Sequence, residues 1–171
     1  MANVDNPRGF IPVRYKDGRS LAVEYFDVSG TNSEITVNDV VERRSDGYVH
    51  IAQAASTSIV GVAAQDKAAN SGGTIAVVPA PGLVMLAQVD DATVNAQTDI
   101  GLNYDILATA PSSGKSQMEI DGSTQATTAT LPILIERVAD VTSVAGNALG
   151  ANVLVECVFN QCAYNGGGTG I

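Results

Sequence analysis

The chain has no tryptophan, three phenylalanines, one histidine and two cysteines among 171 residues, and each scarcity removes a class of protein. With aromatics at 5 %, there is no interleaved basic and aromatic patch on which single-stranded nucleic acid could stack. A sugar-binding aromatic platform is equally poorly supplied. His50 is the single histidine and no C-x-x-C occurs, so no zinc ligand set can be assembled. Cys157 and Cys162 lie five residues apart, which in continuous strand puts them on opposite faces. A bridge would need a turn between them, and two buried free thiols are expected. No apolar run approaches 18 residues, and the start lacks the apolar stretch of a secretion signal. Synthesis in the cytoplasm and no membrane partner are therefore expected.

Basic residues are also few, nine against eighteen acidic, and their placement says more than the net charge of −9. Arg8, Arg14, Lys16 and Arg19 lie in the first twenty residues beside only Asp5 and Asp17, which makes that segment +2 and leaves −11 for the rest. An acidic body is repelled by nucleic acid and by anionic membrane, whereas a basic arm is drawn to an acidic surface. Residues 1–20 also carry Pro7, Pro12, Gly9 and Gly18 with no sustained period. They are expected to form an extended arm that docks on its own body or on a neighbour.

What is present in quantity is Val, Ala, Thr and Gly, a composition that favours strands and tight turns over helices. Short apolar runs at 21–28, 40–41, 48–52, 59–64, 74–78, 83–89, 102–109, 117–120, 131–138 and 153–164 alternate with turn signals. They predict roughly eight to ten strands in a single compact all-β body, residues 21–164, built as a β-barrel or a jelly-roll-like sandwich. Residues 38–66, NDVVERRSDGYVHIAQAASTSIVGVAAQD, are expected to organise it as a three-stranded meander. Asp121-Gly122 suits the positive-φ positions of a hairpin turn. Residues 165–171, NGGGTGI, read as a flexible tail. SIVGVAAQD at 58–66 and LPILIERVAD at 131–140 each follow a Thr-containing loop and end in Asp, an echo that raises an internal duplication.

No catalytic constellation emerges. Gly114-Lys115-Ser116 lacks the glycine five residues earlier and the following helix that a phosphate-binding loop requires, since position 109 is Thr. His50 has no serine or cysteine context to activate. Asp90-Asp91 would point to opposite faces of a strand, and no further acidic ligands follow at loop spacing. No enzyme, cofactor or metal is expected.

The opening MANVDNPRGFIPVRY, with Met1 to Val4, a Pro7 to Phe10 turn and Pro12 to Arg14, resembles the start of a group of small tailed-bacteriophage virion proteins. NDVVERRSDGYVHIAQ with STSIVGVAAQ resembles their next segment, and NALGANVLVECVFNQCAY resembles their final strand after an Asn-Ala-x-Gly loop. The likeness covers both ends and the first third of the chain; residues 67–130 are covered poorly. It implies a structural virion protein of the head decoration or cement type, bound outside the phage head to the major capsid protein lattice and self-associated as a dimer or trimer. The alternative is a tail, fibre or head-fibre module that binds a receptor or glycan. Under the first reading Asn3, Pro7, Arg8, Phe10, Ile11, Pro12, Arg14 and Tyr15 form the capsid-docking arm, and removing residues 1–20 should leave the body folded.

Overall fold

A computed structural model describes residues 3–140 and 146–164, and the tail expected at 165–171 lies outside them. Eleven strands lie among the described residues: β1 (Ile11–Tyr15), β2 (Glu24–Val28), β3 (Val40–Arg43), β4 (Val49–Ile51), β5 (Ile59–Ala63), β6 (Gly73–Pro79), β7 (Leu83–Gln88), β8 (Asn103–Leu107), β9 (Glu119–Ala126), β10 (Ile133–Val138) and β11 (Leu154–Phe159). One 3-10 turn, Gln97–Asp99, interrupts the loop before β8.

The strands form two rings. β2-β4-β3-β5-β6 is a closed barrel, with β2 returning to β6. The other strands form a six-stranded sheet in the order β1-β7-β11-β10-β8-β9. A parallel bridge, Val89↔Ile120, brings the far edge of β9 back beside the end of β7. The strand order β7-β11-β10-β8-β9 therefore curls into a second, nearly closed ring, with β1 added outside it.

The two rings repeat each other to the residue. Tyr25↔Ala76 between β2 and β6 corresponds to Leu86↔Glu156 between β7 and β11. Val62↔Val78 corresponds to Leu134↔Val158, and Val40↔Val62 to Asn103↔Leu134. The one parallel contact also recurs, Val28↔Val49 in the first ring and Val89↔Ile120 in the second. The echo between 58–66 and 131–140 falls on β5 and β10, the fourth strand of each ring.

Packing explains why several strands lack alternation. Val41, Val49, Val60, Ile75 and Val77 fill the first barrel. Their outward neighbours Val40, Ile59, Val62 and Val78 join Met85, Tyr104, Ile106, Ile120, Ile133 and Ile135 in a larger core that runs through the second ring and the seam. A strand buried on both faces reads as a continuous apolar run, which is the pattern of IVGVA in β5. Polar contacts cross the same seam: both carboxylate oxygens of Asp105 accept from the Ala55 N–H, at 2.7 and 2.8 Å.

Two expectations need correction. Residues 38–66 are not a meander, because β5 pairs with β3 and β4 lies on the other side of β3. β3 takes the central place between them, with Val40 and Val41 both fully buried. Asp121-Gly122 is no turn but lies within β9. There the glycine permits close approach: a Cβ on it would lie 2.2 Å from Asp91 Oδ1. Residues 1–20, expected to dock on the body or on a neighbour, contribute β1 to the second sheet of the body itself.

Candidate docking segment

The N-terminal segment is fixed to the body at four points. Asn3 donates from Nδ2 to the carbonyls of Ala148 and Ala151, both at 2.8 Å, and its Oδ1 accepts from the Ala148 N–H at 3.2 Å. Gln88 at the end of β7 continues this attachment. Its amide donates to the carbonyls of Val4 (2.8 Å) and Asn152 (3.2 Å), and its oxygen accepts from the Asn6 N–H at 3.0 Å.

Gly9 and Phe10 make the second attachment. Gly9 has φ +72°, and a Cβ there would sit 2.4 Å from both the Asn38 carbonyl and Ser116 Oγ. Only glycine supplies that turn and that clearance. The turn allows Phe10 to donate its N–H to the Asn38 carbonyl at 2.9 Å while its ring is fully buried in the larger core.

β1 itself pairs antiparallel with β7, from Ile11↔Leu86 to Tyr15↔Leu83, with an irregularity between Pro12 and Arg14. Proline lacks a donor for the ladder, so Pro12 is tolerated because β1 is the outermost strand. Arg14 donates to Glu156, and Arg137 donates to the other oxygen of the same carboxylate at 2.7 Å. The hydrogen bond from Arg137, with that from Arg14, holds the Glu156 carboxyl below its ordinary range despite burial.

The fourth attachment is at Tyr15, whose hydroxyl donates to the Pro79 carbonyl at 3.0 Å. Arg19 stacks 3.9 Å from its ring centroid and donates to the Pro81 carbonyl at 2.6 Å. Lys16 pairs with Glu136.

Of the expected docking residues, Phe10 and Tyr15 are therefore core residues, and Asn3 is an internal clamp. Removing residues 1–20 would take the buried Phe10 and Tyr15 out of the larger core, which argues against the expectation that the body stays folded without them. Pro7, Ile11 and Pro12 are half-buried, while Arg8 is exposed. Arg14 retains an exposed side chain although it is paired. Val4 and Val13, outside the expected docking set, are 77 % and 40 % exposed. The exposed side chains of this segment include Val4, Arg8, Val13 and the outer side of Arg14, with Asp5 and Asn6 between the first two.

The remaining sequence candidates fall elsewhere. His50 Nε2 lies 2.9 Å from Asp46 Oδ2 in the β3–β4 hairpin. Ser113 and Gly114, with φ +53° and +69°, are the centre of a tight turn closed by paired hydrogen bonds between Ser112 and Lys115, so Gly114-Lys115 forms no phosphate cradle. Cys157 and Cys162 are free and buried, and burial pushes the Cys157 thiol up. Among the described residues, no group of three or more His, Cys, Asp or Glu side chains is placed to hold a metal, and no helix is long and apolar enough to cross a membrane.

Comparison with protein-family models, with curated proteins and with solved structures gave no match.

Proposed function

We propose that this chain is a structural protein of a phage virion. It binds the major capsid protein lattice on the head exterior, after synthesis in the host cytoplasm, and braces the shell as a decoration or cement protein. The observation that carries this reading is the contact between Asn3 and the loop at 147–151. Two of the segments that resemble phage virion proteins, the Met-Ala-Asn-Val start and the Asn-Ala-x-Gly loop, lie 145 residues apart in the chain and clamp each other. Their joint presence thus has a structural cause, as expected for a protein whose task is to hold a shape.

A rigid double ring contributes contact area rather than chemistry. The exposed Arg8, Val4 and Val13 lie on its N-terminal segment, where a basic and apolar strip meets an acidic lattice surface. Repeated occupancy of equivalent lattice sites, and self-association as a dimer or trimer on a symmetry axis, let modest contacts add.

The test is a cryo-EM map of particles that carry the labelled chain. Label ordered over the head lattice is the expected result. Label confined to the tail or fibres overturns the head assignment in favour of a receptor- or glycan-binding module.

A further inference from the structure

The repetition of the two rings exposes a difference between them. In the second ring, β7 uses one edge for β11 and the other for β1, with its continuation at Val89 bridging to β9. In the first ring, β2 likewise uses one edge for β6 and its last residue, Val28, bridges to β4. Nothing among the described residues pairs with the rest of that second edge. The position that β1 occupies on β7 is open on β2.

The register says which groups are free. Val89 N–H points to the carbonyl of Val153, just before β11, and Asp90 N–H to the Ile120 carbonyl on β9. Val28 corresponds to Val89, so Glu24, Phe26 and Val28 direct their backbone groups to β6. Val23, Tyr25 and Asp27 direct theirs to the open edge, because successive residues of a strand alternate. The side chains follow. Val84, the counterpart of Val23, pairs with Arg14 of β1 and is fully buried, whereas Val23 is 45 % and Tyr25 69 % exposed. At the start of β2, Ala22 and Glu24 line a cleft of about 190 Å³ together with Tyr15, Tyr164 and Pro79 at the end of β6. Arg19 also lines it, with its charge already engaged by Asp17, the Pro81 carbonyl and the Tyr15 ring.

We propose that the outer edge of β2, residues 23–27, accepts an extended basic strand of a partner protein, added antiparallel to β2 in the way that β1 adds to β7. Strand addition of this kind takes its affinity from main-chain hydrogen bonds and its specificity from alternate side chains. Charge selects the partner. Glu24 and Asp27 flank the apolar Tyr25 and Phe26, and pairing two copies edge to edge would bring four carboxylates into one seam. Such charges protect an edge from its own kind while attracting basic residues. The template on the same molecule agrees, since β1 and the residue after it supply Arg14 and Lys16 to acidic partners. This inference does not depend on the partner being a capsid.

The probe is a capped peptide with the sequence of residues 9–17, GFIPVRYKD, titrated into the isotope-labelled full chain. Its control has Arg and Lys replaced by Glu. The basic peptide should shift the backbone resonances of residues 22–28 and slow hydrogen exchange at Val23, Tyr25 and Asp27. The acidic control, and the basic peptide on a Tyr25→Lys variant, should each bind about tenfold more weakly. Residue 25 is exposed, so that variant should keep the resonances of both rings.

Three results would overturn the proposal. One is peptide that leaves residues 22–28 undisturbed. Another is protection of these amides in the dilute free protein, which would mean the chain's own residues 165–171 cover the edge. The third is protection that appears only as protein concentration rises, which would make a second copy the occupant.

Discussion

Arg14 on β1 reaches across β7 and donates from Nη2 to Oε2 of Glu156 on β11, at 2.8 Å. The first strand is thereby tied to the last one, two positions away in the sheet. Glu156 is only 8 % exposed, and both of its oxygens are engaged by arginines. Glu156→Gln should cost about 1–2 kcal/mol at pH 7, because both guanidinium groups lie partly in solvent and are screened. The folded pKa of this carboxyl lies below its ordinary 4.5. Its contribution is therefore present above that value and is lost as pH falls through the lower, folded pKa. Urea denaturation of both proteins should show the gap at pH 7 and its closure at low pH.

Glu119 behaves in the opposite sense. Burial, reinforced by the carboxylates of Asp5 and Asp90, pushes its pKa from 4.5 up to about 7, and its Oε1 has no hydrogen-bond partner among the described residues. The folded state thus holds a proton that the unfolded state releases, so stability declines from pH about 4.5 to about 7 and is level above. Glu119→Gln should remove this penalty, stabilising the protein by about 1–2 kcal/mol at pH 8 and hardly at all at pH 4. Equal effects at both pH values would refute the assignment.

Phe10 and Arg8 should separate folding from docking. Phe10→Ala empties a fully buried site and should cost about 3–5 kcal/mol, and deletion of residues 1–16 should abolish cooperative unfolding. Arg8→Glu and Val13→Glu alter exposed positions and should change stability by less than about 0.5 kcal/mol. If the segment meets an acidic lattice, those two variants should nevertheless reduce occupancy on capsids, measured by co-sedimentation.

Gly122 tests the reassignment of the Asp-Gly dipeptide. Asp91 is held by Thr93, whose N–H and hydroxyl donate to it at 2.8 and 2.6 Å, so it cannot swing freely away from a new methyl group. Gly122→Ala should cost about 1–3 kcal/mol. Calorimetric melting of this variant beside Gly114→Ala, at a turn with open space around it, would contrast close approach with a backbone requirement.

Most strands were legible because alternation and turn residues are local. β2 to β8, β10 and β11 fall within the apolar runs read from the sequence, with their ends displaced by a few residues. Ring order was not legible, since Val40 and Val41 are buried on opposite faces and such a strand carries no mark of which neighbour it takes. β1 was hidden for a different reason: Pro7, Pro12 and the basic residues obscure a strand whose outer side is exposed. The docking residues named from sequence therefore mixed two populations. Phe10 and Tyr15 are buried in the larger core, while Arg8 is exposed, and only tertiary contact distinguishes them. Val4 and Val13 could have been suspected as apolar residues of an outermost strand region. Nothing local indicated that β2 has an open edge.

The clamp between Asn3 and the loop at 147–151 also sets an order in time. The strands of the first ring are all contained in residues 24–79, so that ring can close while the ribosome is still making the second half of the chain. Phe10 and Tyr15 can meet Asn38 and Pro79 at that stage, but Asn3 and Arg14 must wait for their partners at 148, 151 and 156. The N-terminal segment is thus seated in two stages, and its clamp to the loop at 147–151 closes only when the end of the second ring has been made.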